Sequence, residues 1–488
     1  MGFDALFTGI SGLNAYQSQI DMISNNIANV GTIGFKGQRM TFADLFYQSQ
    51  GFASGPTQSN GGVNPMETGL GVKVNTIDTN FSQGGLQTTG INTDLALNGD
   101  GFFILRNTDG TGQPLYTRDG AFSLNSSGVL YDPATGLAVQ GFMANSNGVV
   151  NASGTPGTVT IPLGLQMQAT ATGGPNSVKL GPSNDQVFDM GFGGSLDQTQ
   201  YSVAANGGTP VNKVLTTTIY DSLGNAHQAT ITFSPSAPVA PATLPATVNN
   251  TSGTAVAPAT RWTYSVSFAD GTTMPAGDNT GYVWFDTNGQ FINSSGDAAG
   301  ANVHTQGNAP TPSTGAGTGQ GDAIQISGWP AGNNSTAPQT IGLDFSNMSA
   351  LSGTATANVL AQNGYAAGTL SNITVGQDGT ITGSFTNGQQ KTIAEVAVAT
   401  FQNEGGLHRT GGNGFVQTAN SGLAQVGTAN SGRYGAIVSG SLEQSNVSLA
   451  DEFTKMIVAQ RAFEANTRGI STADQNLMTV LNIRGSEN

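Results

Sequence analysis

The stretch "SNNIANVGTIGFKGQRMTFADLF", residues 24–46, joins a regular helical pattern to a chain that is otherwise typical of β structure. Three asparagines, Asn25, Asn26 and Asn29, lie at the end of the helical pattern, although asparagine is a poor helix former. Glycines follow them, and two phenylalanines follow the glycines. This order predicts that a helix ends near residue 30 and that the chain then turns into a different kind of structure.

Apolar residues recur every seven positions in residues 1–30, on the N-terminal side of this stretch. A second set lies three positions after the first, which is the a/d spacing of a coiled coil. Gly9 is the weak position of this pattern. The predicted N-terminal seam consists of Leu6, Leu13, Tyr16, Ile20, Ile23, Ile27 and Val30.

Residues 440–488 repeat the seven-residue pattern at the other end of the chain, interrupted by Glu452 and Asn466. An ordinary amphipathic core helix is the alternative explanation of either pattern alone, but two strict seams favour coiled-coil packing. A single helix cannot bury its own apolar stripe, so we expect the terminal helices to pair with each other or with neighbouring copies. The predicted C-terminal seam consists of Leu442, Leu449, Met456, Phe463, Ile470, Leu477 and Val480.

The composition between the two helices indicates a folded, turn-rich β protein. Of the 488 residues, 37% are hydrophobic, 70 are glycine and only 9% are charged, against about 25% charged in ordinary globular proteins. The net charge of −14 argues against a nucleic-acid partner, which would need a basic face. Cysteine is absent, which suits a protein exported unfolded, although a chance absence explains it nearly as well.

The fold class that we predict is mainly β with α-helical termini, in which discontinuous domains are nested inside one another. Asx-Gly turns between short apolar runs predict hairpins on both sides of the chain's middle. Gly, Ser, Gln, Asn and Pro dominate the segment after the first helix and indicate a connector of turns. The predicted domains are an inner helical domain (1–30 and 440–488), a connector (31–70), a middle β domain (71–145 and 371–439) and an outer β domain (146–370) with a low-complexity loop or subdomain near 235–260.

Residues that would carry chemistry do not form a recognisable constellation. His227, His304 and His408 lie in unrelated segments without metal-ligand spacing. The stretch 286–297 resembles a calcium loop, but its glycine is fourth instead of sixth and no glutamate closes it, so turns are the better interpretation. The sequence therefore predicts neither an enzyme nor a bound metal or cofactor.

The two ends of the chain resemble the bacterial flagellar rod and hook proteins. The N-terminal signature of that family is matched by Asn25, Asn26, Ile27, Ala28, Asn29, Gly34, Phe35 and Lys36. Its C-terminal signature is matched by Ser445–Val447, Met456-Ile457, Gln460-Arg461 and Asn466, and "NGDGFFIL" (98–105) resembles its shared inner β domain. The resemblance covers roughly residues 1–145 and 370–488.

The resemblance implies a structural subunit of a hollow, extracellular flagellar tube whose channel is lined by both terminal helices. The long insertion between the two halves favours the hook, a curved universal joint that transmits torque, over the shorter distal rod protein. The implied partners are other copies of the chain, the rod protein at the proximal end, the hook-filament junction protein and the hook cap at the distal end, and the flagellar type III export apparatus. A secreted β-rich adhesin or carbohydrate-active protein is the rival of another class.

The start of the sequence also bears on export. It carries no secretory signal peptide and the chain has no long apolar run, so we expect export without cleavage and no membrane span. Early flagellar export substrates are held to carry a hydrophobic element that binds the export gate, and Phe42 and Phe46 match its form. The alternative is that these aromatic side chains only anchor the connector by packing.

Overall fold

The computed structural model describes residues 2–56, 58, 61–162, 164–173, 189–236, 248–249, 255–256, 258–275, 279–295, 321–330 and 339–485. The chain folds into two compact units. Residues 1–165, 370–384 and 390–488 form unit 1, and residues 166–369 and 385–389 form unit 2. Unit 2 thus begins at residue 166 and not at the predicted 146, because residues 146–165 fold with the middle β domain.

Among the described residues, the first part of unit 1 holds one long helix and twelve strands. They are α1 (Gly2–Ala28), β1 (Gln38–Asp44), β2 (Tyr47–Gly51), β3 (Met66–Gly69), β4 (Val72–Thr79), β5 (Leu86–Thr88), β6 (Leu95–Asn98), β7 (Phe102–Arg106), β8 (Leu115–Thr117), β9 (Ser123–Leu124), β10 (Leu130–Tyr131), β11 (Ala138–Met143) and β12 (Gly157–Thr158).

Unit 2 follows with a short helix among strands. Its elements are β13 (Gln166–Met167), β14 (Met190–Asp197), α2 (Gln198–Ala205), β15 (Lys213–Tyr220), β16 (Ala226–Pro235), β17 (Val248–Asn249), β18 (Ala255–Val256), β19 (Thr260–Phe268), β20 (Thr280–Phe285), β21 (Phe291–Ser295), β22 (Gly321–Ile326), β23 (Gln339–Leu351) and β24 (Asn358–Gln362).

The chain then completes unit 1 and ends in a second long helix, with a 3₁₀ turn at Glu404–Gly406 on the way. The elements are β25 (Gly368–Val375), β26 (Thr380–Phe385), β27 (Gln390–Thr400), β28 (His408–Gly411), β29 (Gly414–Val416), β30 (Gln425–Thr428), β31 (Ala436–Ser439), β32 (Ser441–Glu443) and α3 (Leu449–Gly485).

The terminal helices pair with each other, and the predicted fold class is confirmed. Gly9 lies against Ile470 and Gly12 against Asn466, so the two helices run antiparallel. A Cβ on Gly9 would lie 2.7 Å from the Ile470 side chain, which shows that the weak seam position is a point of close approach between α1 and α3. The helix expected from residue 440 is wrong for its first residues, because Leu442 lies on β32, paired with β5, and α3 begins only at Leu449.

The segment 31–70, interpreted above as a connector of turns, also contains strands. β1 pairs antiparallel with β4, and β2 pairs with β3. The side chains of β2 and β3 are almost all exposed on both faces, so the sequence lacks the alternation by which a half-buried strand is recognised. The β1–β4 pair packs against α1 on one side, since the ring centroids of Tyr16 and Phe42 are 5.6 Å apart.

The body of unit 1 is one large sheet whose strands come from both halves of the chain. β27 pairs with β26, β11, β7 and β30, and β8 connects β7 to β29. This sheet therefore joins β7–β12 to β25–β30. Its core is apolar, with Phe103, Val139 and Val398 fully buried.

The Asx-Gly turns lie where the sequence predicts hairpins. Gly379 has a φ of +86° between β25 and β26, and Gly388 a φ of +79° between β26 and β27. Both values lie in the left-handed region that glycine adopts without strain. Most of the low-complexity stretch 235–260 lies outside the described residues, apart from the short β17–β18 pair within it.

Unit 2 consists mainly of two sheets around an aromatic core. One sheet has the order β15-β16-β19-β20-β21 and the other β22-β23-β14-β24. Alternate residues of these strands are buried, which brings Phe192, Phe233, Trp262, Tyr264 and Phe345 into one cluster.

Candidate assembly site

The end of α1 is closed by asparagine side chains. The Asn29 amide donates a hydrogen bond to the carbonyl of Asn25 at 2.9 Å, and the Thr32 hydroxyl donates to the Asn29 amide oxygen at 3.2 Å. The Asn25 carbonyl also accepts from the backbone N–H of Asn29 at 3.2 Å, so the side-chain bond adds to the last helical turn. Asparagine side chains readily make such local bonds to the backbone, which suits them to the end of a helix.

Asn26 ties the end of α1 to the first strand. Its side-chain amide accepts from the backbone N–H of Gln38 at 2.9 Å and donates to the Gln38 carbonyl at 2.8 Å. The same amide nitrogen lies 3.2 Å from a carboxylate oxygen of Glu452, in the first turn of α3. Because Asn26 and Glu452 are both buried, water does not compete for these bonds. One side chain thus fixes α1, β1 and α3 at a single point.

Gly34 makes the turn between α1 and β1 possible. Its φ is +66°, and a Cβ here would lie 2.7 Å from the backbone nitrogen of Asp119 and 2.8 Å from the carbonyl carbon of Arg118. Backbone atoms cannot yield as a side chain can, so only glycine fits this position. The Gly34 N–H donates to the carbonyl of Glu443 at 2.8 Å, which holds the turn against β32.

Lys36 and Glu443 form a fully buried ion pair, with 2.7 Å between the ammonium nitrogen and Oε1. Arg118 lies 3.4 Å from the other oxygen of the same carboxylate, and the Gly84 N–H donates to Oε1 at 2.8 Å. Lys36 also donates to the Ser82 carbonyl at 2.9 Å. Burial, followed by the charge of Arg118, lowers the pKa of Lys36, and Glu443 opposes this shift.

This ion cluster is costly for a chain with so few charges. Lys36 and Arg118 are two of only 15 Lys and Arg residues, and both are almost completely buried. Buried ion pairs give little net stability, but a buried charge that loses its partner is strongly unfavourable. The cluster therefore specifies one arrangement of the chain more than it adds stability.

Asn446 and the β28–β29 hairpin also contact residues 35–37. The Asn446 side chain accepts from the Gly37 N–H and donates to the Asn80 carbonyl, both at 2.8 Å. Arg409 donates to the Lys36 carbonyl and lies over the Phe35 ring at 5.1 Å. We call the cluster of Asn26, Gly34, Lys36, Arg118, Glu443, Asn446 and Glu452 the elbow.

A polar cleft of about 410 Å³ opens beside the elbow. Charged groups of both signs line it, including Arg39, Asp78, Asp451 and Lys455. No group of three or more His, Cys, Asp or Glu side chains in the described parts of the chain is arranged to hold a metal ion. The chemistry of this region is therefore ionic and hydrogen-bonding contact.

The N-terminal seam residues lie along α1 but are not equally buried. Ile23 is completely buried, while Leu6, Leu13, Tyr16, Ile20 and Ile27 are half-buried. Val30 lies beyond the last helical residue. Tyr16 faces the β1–β4 ribbon, so α1 packs against two neighbours and not along a single stripe.

The side of α3 that faces α1 contains the two residues that interrupt the seven-residue pattern. Its buried members are Glu452 and Ala459, and its half-buried members are Met456, Phe463, Asn466, Ile470, Ala473 and Leu477. Together these residues follow one another at alternating spacings of four and three. Leu449 is exposed at the start of the helix, and the side chain of Val480 lies outside the described set. Glu452 and Asn466 are thus part of the α1–α3 contact.

Large apolar side chains remain exposed around the paired helices. Phe453, Ile457 and Val458 lie on the outer side of α3, and Phe7 and Ile10 on α1. The segment around β2 and β3 adds a second exposed set, which consists of Phe46, Tyr47, Phe52, Val63 and Met66. Exposed apolar surface of this extent marks sites of association.

Phe42 and Phe46 have different surroundings. Phe42 is half-buried against Tyr16, which places it on α1 and not on the body of unit 1. Phe46 is 72% exposed.

Among the described helices, none combines the length and apolar character of a candidate membrane span.

Sequence reasoning missed the roles of three members of the elbow, Glu443, Arg118 and Glu452. Lys36 and Glu443 are 407 positions apart, and nothing in the local sequence around either residue indicates the other. Glu443 in "GSLEQ" has one apolar neighbour, Leu442, so the scarcity of charged residues in the chain is the only available signal.

Four stretches of the chain match known protein families. Residues 6–36 match the family described as "Flagella basal body rod protein" and 438–483 match "Flagellar basal body rod FlgEFG protein C-terminal". Residues 96–174 match "Flagellar hook protein FlgE/F/G D1 domain" and 195–365 match "Flagellar basal body protein FlaE D2 domain". Paired terminal helices, a shared β domain and a large insertion together define an axial protein of the bacterial flagellum.

Relatives that align over nearly the whole chain identify one family among the flagellar axial proteins. The chain is 36% identical over 498 residues to the flagellar hook protein FlgE of Treponema pallidum, covering 98% of this chain and 99% of the relative. It is 31% identical over 484 residues to the FlgE of Escherichia coli, covering 98% and 100%. The chain belongs to the flagellar hook protein FlgE family. The crystal structure of Helicobacter pylori FlgE2 aligns with a TM-score of 0.40 at 12% identity, covering 70% of this chain and 98% of that one.

Proposed function

We propose that the chain polymerises with copies of itself into the flagellar hook, a curved hollow tube that acts as a universal joint. The tube would connect the rod to the filament outside the cell and transmit the torque of the motor. The role is structural and not enzymatic. In a tube built from one kind of subunit, each copy offers one surface to a different surface of the next, and such contacts generate open helical assemblies.

The observation that carries this proposal is the exposed apolar surface around the pair of helices, which the elbow connects to β1. Phe453, Ile457 and Val458 on α3 have no apolar cover among the described residues. A pair of helices with apolar residues on its outer sides gains stability by packing against further helices. Copies of the same pair, arranged around a channel, would supply that packing.

Electron microscopy of the purified full-length chain under polymerising conditions tests the proposal. We expect curved hollow tubes. Straight tubes would support a rod protein of the same axial family instead. Soluble monomers that bind glycans would support a secreted adhesin, and either result would contradict the hook assignment.

The partners at the two ends of the tube belong to the same proposal. The rod protein would meet the proximal end, and the hook cap and the hook-filament junction protein would meet the distal end in turn. Support comes from the family matches of both chain ends to flagellar rod and hook proteins. Pull-down of the rod protein by preformed tubes, compared with monomeric chain, is the corresponding measurement.

Export would use the flagellar type III apparatus, with Phe42 and Phe46 as the element that binds the export gate. The exposure of Phe46, which contributes little to packing, supports a role outside the folded subunit. Phe46→Ala should reduce secretion severalfold while leaving the free energy of unfolding within about 0.5 kcal/mol, as for other surface substitutions. Normal secretion of the Phe42→Ala/Phe46→Ala variant would remove the export role.

The outer β domain would slide against its neighbours as the hook bends. Its surface is built from Gly, Ser, Thr and Asn with few charges, so few directional ion pairs have to break during sliding. Opposite charges engineered on neighbouring outer domains should stiffen the hook. Unchanged bending stiffness would contradict sliding at that surface.

A further inference from the structure

Both ring nitrogens of His227, in unit 2, face carboxylates. Nδ1 lies 2.5 Å from Oδ2 of Asp270, and Nε2 lies 3.3 Å from Oδ2 of Asp221. The side chain of His227 is only 6% exposed, and that of Asp221 is fully buried. Three ionisable side chains are thus held in contact, in a chain where charged residues are scarce.

These three side chains come from different places in the first sheet of unit 2. Asp221 lies in the turn between β15 and β16, His227 is the second residue of β16, and Asp270 lies in the turn between β19 and β20. The carboxylate of Asp221 accepts from the backbone N–H groups of Leu223 and Asn225 at 2.9 and 2.8 Å, so its own turn fixes it. His227 therefore connects a fixed acceptor to the turn after β19.

The cluster also reaches the second sheet of unit 2, at the end of β22. Trp329 follows β22, and the centroids of its ring and of the His227 ring are 4.3 Å apart. The indole N–H of Trp329 is buried without an acceptor in the described part of the chain, so packing and not a hydrogen bond positions this side chain. The Thr273 N–H, just after Asp270, donates to the Gly328 carbonyl at 2.8 Å. The turn after β19 and the end of β22 are therefore connected twice.

The surroundings of His227 favour a charged ring. Ionisable groups face it from two turns, Asp221 and Asp270, and the segment after β22 contributes the uncharged indole of Trp329. A neutral imidazole donates to one carboxylate and presents a lone pair to the other. A protonated ring donates to both, and its charge is attracted to the face of the indole. Loss of the proton therefore weakens all three contacts together.

Asp270 stays charged over the range in which histidine titrates. Burial acts to raise the pKa of Asp270, but hydrogen bonds from Thr272 and His227 and the charge of His227 outweigh it, and the pKa lies below its ordinary value of 3.8. The stability that this carboxylate contributes is present above its unfolded pKa and lost only as the pH falls through the lower folded value. Histidine ordinarily changes its charge between about pH 5 and 8. In that range, the change of charge in the pair occurs on His227.

We propose that His227 is a pH-sensitive clasp, which holds the end of β22 on the turn after β19 while its ring is protonated and releases it when the ring loses its proton. Release separates residues 326–329 from residues 270–273. The rest of both sheets stays intact, because an apolar core holds them together. The clasp lies within unit 2 and does not rest on the proposed function.

The test is hydrogen exchange, read by mass spectrometry, on the full-length chain at about pH 5.5 and about pH 8.5, on either side of the histidine range. After correction for the pH dependence of chemical exchange, residues 270–273 and 326–329 should lose protection at least about tenfold at the higher pH, while the interiors of β16 and β19 keep theirs. In His227→Gln, which does not titrate, the protection of both segments should be the same at the two pH values.

His408→Gln is the matched control, because it removes an exposed histidine of unit 1 and should leave the loss of protection unchanged. Equal protection of the unmodified chain at both pH values would overturn the clasp. The same loss of protection in His227→Gln as in the unmodified chain would also overturn it.

Asp270→Asn keeps the test decisive if His227→Gln fails to fold. The new amide can donate to an unprotonated ring nitrogen, which a carboxylate cannot do, so a neutral ring keeps both of its partners. The loss of protection at the higher pH should therefore largely disappear, and a loss as large as in the unmodified chain would overturn the proposal. Nitrogen-15 NMR of the labelled histidines reads the ring itself. Two N–H groups on His227 are expected at the lower pH and one at the higher, and one at both would contradict the clasp.

Discussion

The elbow of unit 1 and the core of unit 2 hold the chain together by different means. The unit 2 core is built from aromatic and aliphatic side chains, with Phe192, Phe233 and Phe345 packed ring to ring. The elbow has buried charges and a glycine in contact with backbone. An apolar core depends on filled volume, and related packings differ little in energy. The elbow depends on direction and charge, which suits a joint that must have one geometry.

The largest effect is expected in the apolar core. Phe345→Ala removes a completely buried ring that stacks on Phe192 at 4.9 Å and lies 5.1 Å from Tyr264. Such truncations cost about 3–5 kcal/mol. All three tryptophans belong to unit 2, so tryptophan fluorescence during urea unfolding measures the loss there. Leu223→Ala, at an exposed position, is the control, and an equal effect of both variants would refute the core assignment.

The next largest loss of stability is expected at one of two glycines in the turn after α1. Gly34→Ala forces a Cβ against backbone atoms at a positive φ, which should cost about 2–4 kcal/mol. Gly31→Ala has nothing within 4 Å of the new Cβ and should be nearly neutral. Urea unfolding followed by helical circular dichroism measures both. If the two variants lose the same stability, the turn is not the tight joint described above.

A smaller loss of stability is expected when Lys36 is replaced than when its ion-pair partner Glu443 is replaced. Lys36→Met leaves Glu443 with Arg118 and the Gly84 N–H, whereas Glu443→Gln leaves two cations without their shared carboxylate. Lys36→Met should therefore cost about 1–2 kcal/mol, clearly less than Glu443→Gln. Parallel urea titrations of the two variants check the order. The reverse order would show that Glu443 is not the centre of the cluster.

The smallest effect is expected in the way that the free energy of unfolding of unit 2 depends on pH. Burial raises the pKa of Asp344 above its ordinary value of 3.8. The folded state therefore holds this proton more tightly, and the resulting stability is present at acidic pH and lost as the pH rises through the raised pKa. Asp344→Asn should flatten the fall in the free energy of unfolding above about pH 4. Fluorescence-monitored unfolding from pH 4 to pH 7 measures the slope, and an unchanged slope would contradict this origin.

Local features of the fold could be predicted from the sequence, because their causes are local. The turn glycines Gly379 and Gly388 follow from Asx-Gly pairs between apolar runs. The helix pair follows from the two seven-residue patterns. The β2–β3 ribbon was missed because its side chains are exposed on both faces, which removes the alternation that identifies a strand.

The elbow could be predicted only in part. The asparagines and Gly34 indicated the end of a helix, but the reason Gly34 must be glycine lies in the backbone of Arg118 and Asp119. Glu452 interrupts the seven-residue pattern, and its charge is paired within α3 by Lys455, 2.6 Å away. Its contact with Asn26 depends on the antiparallel pairing of α1 and α3, which no local pattern indicates.

Electron cryomicroscopy of the polymerised chain tests the central claim most directly. We predict that α1 and α3 line the channel of a curved tube and that every subunit keeps the contact of Lys36 and Arg118 with Glu443. Density in which the helices lie on the outside of the tube, or in which this contact is broken in the assembled subunits, would contradict the account.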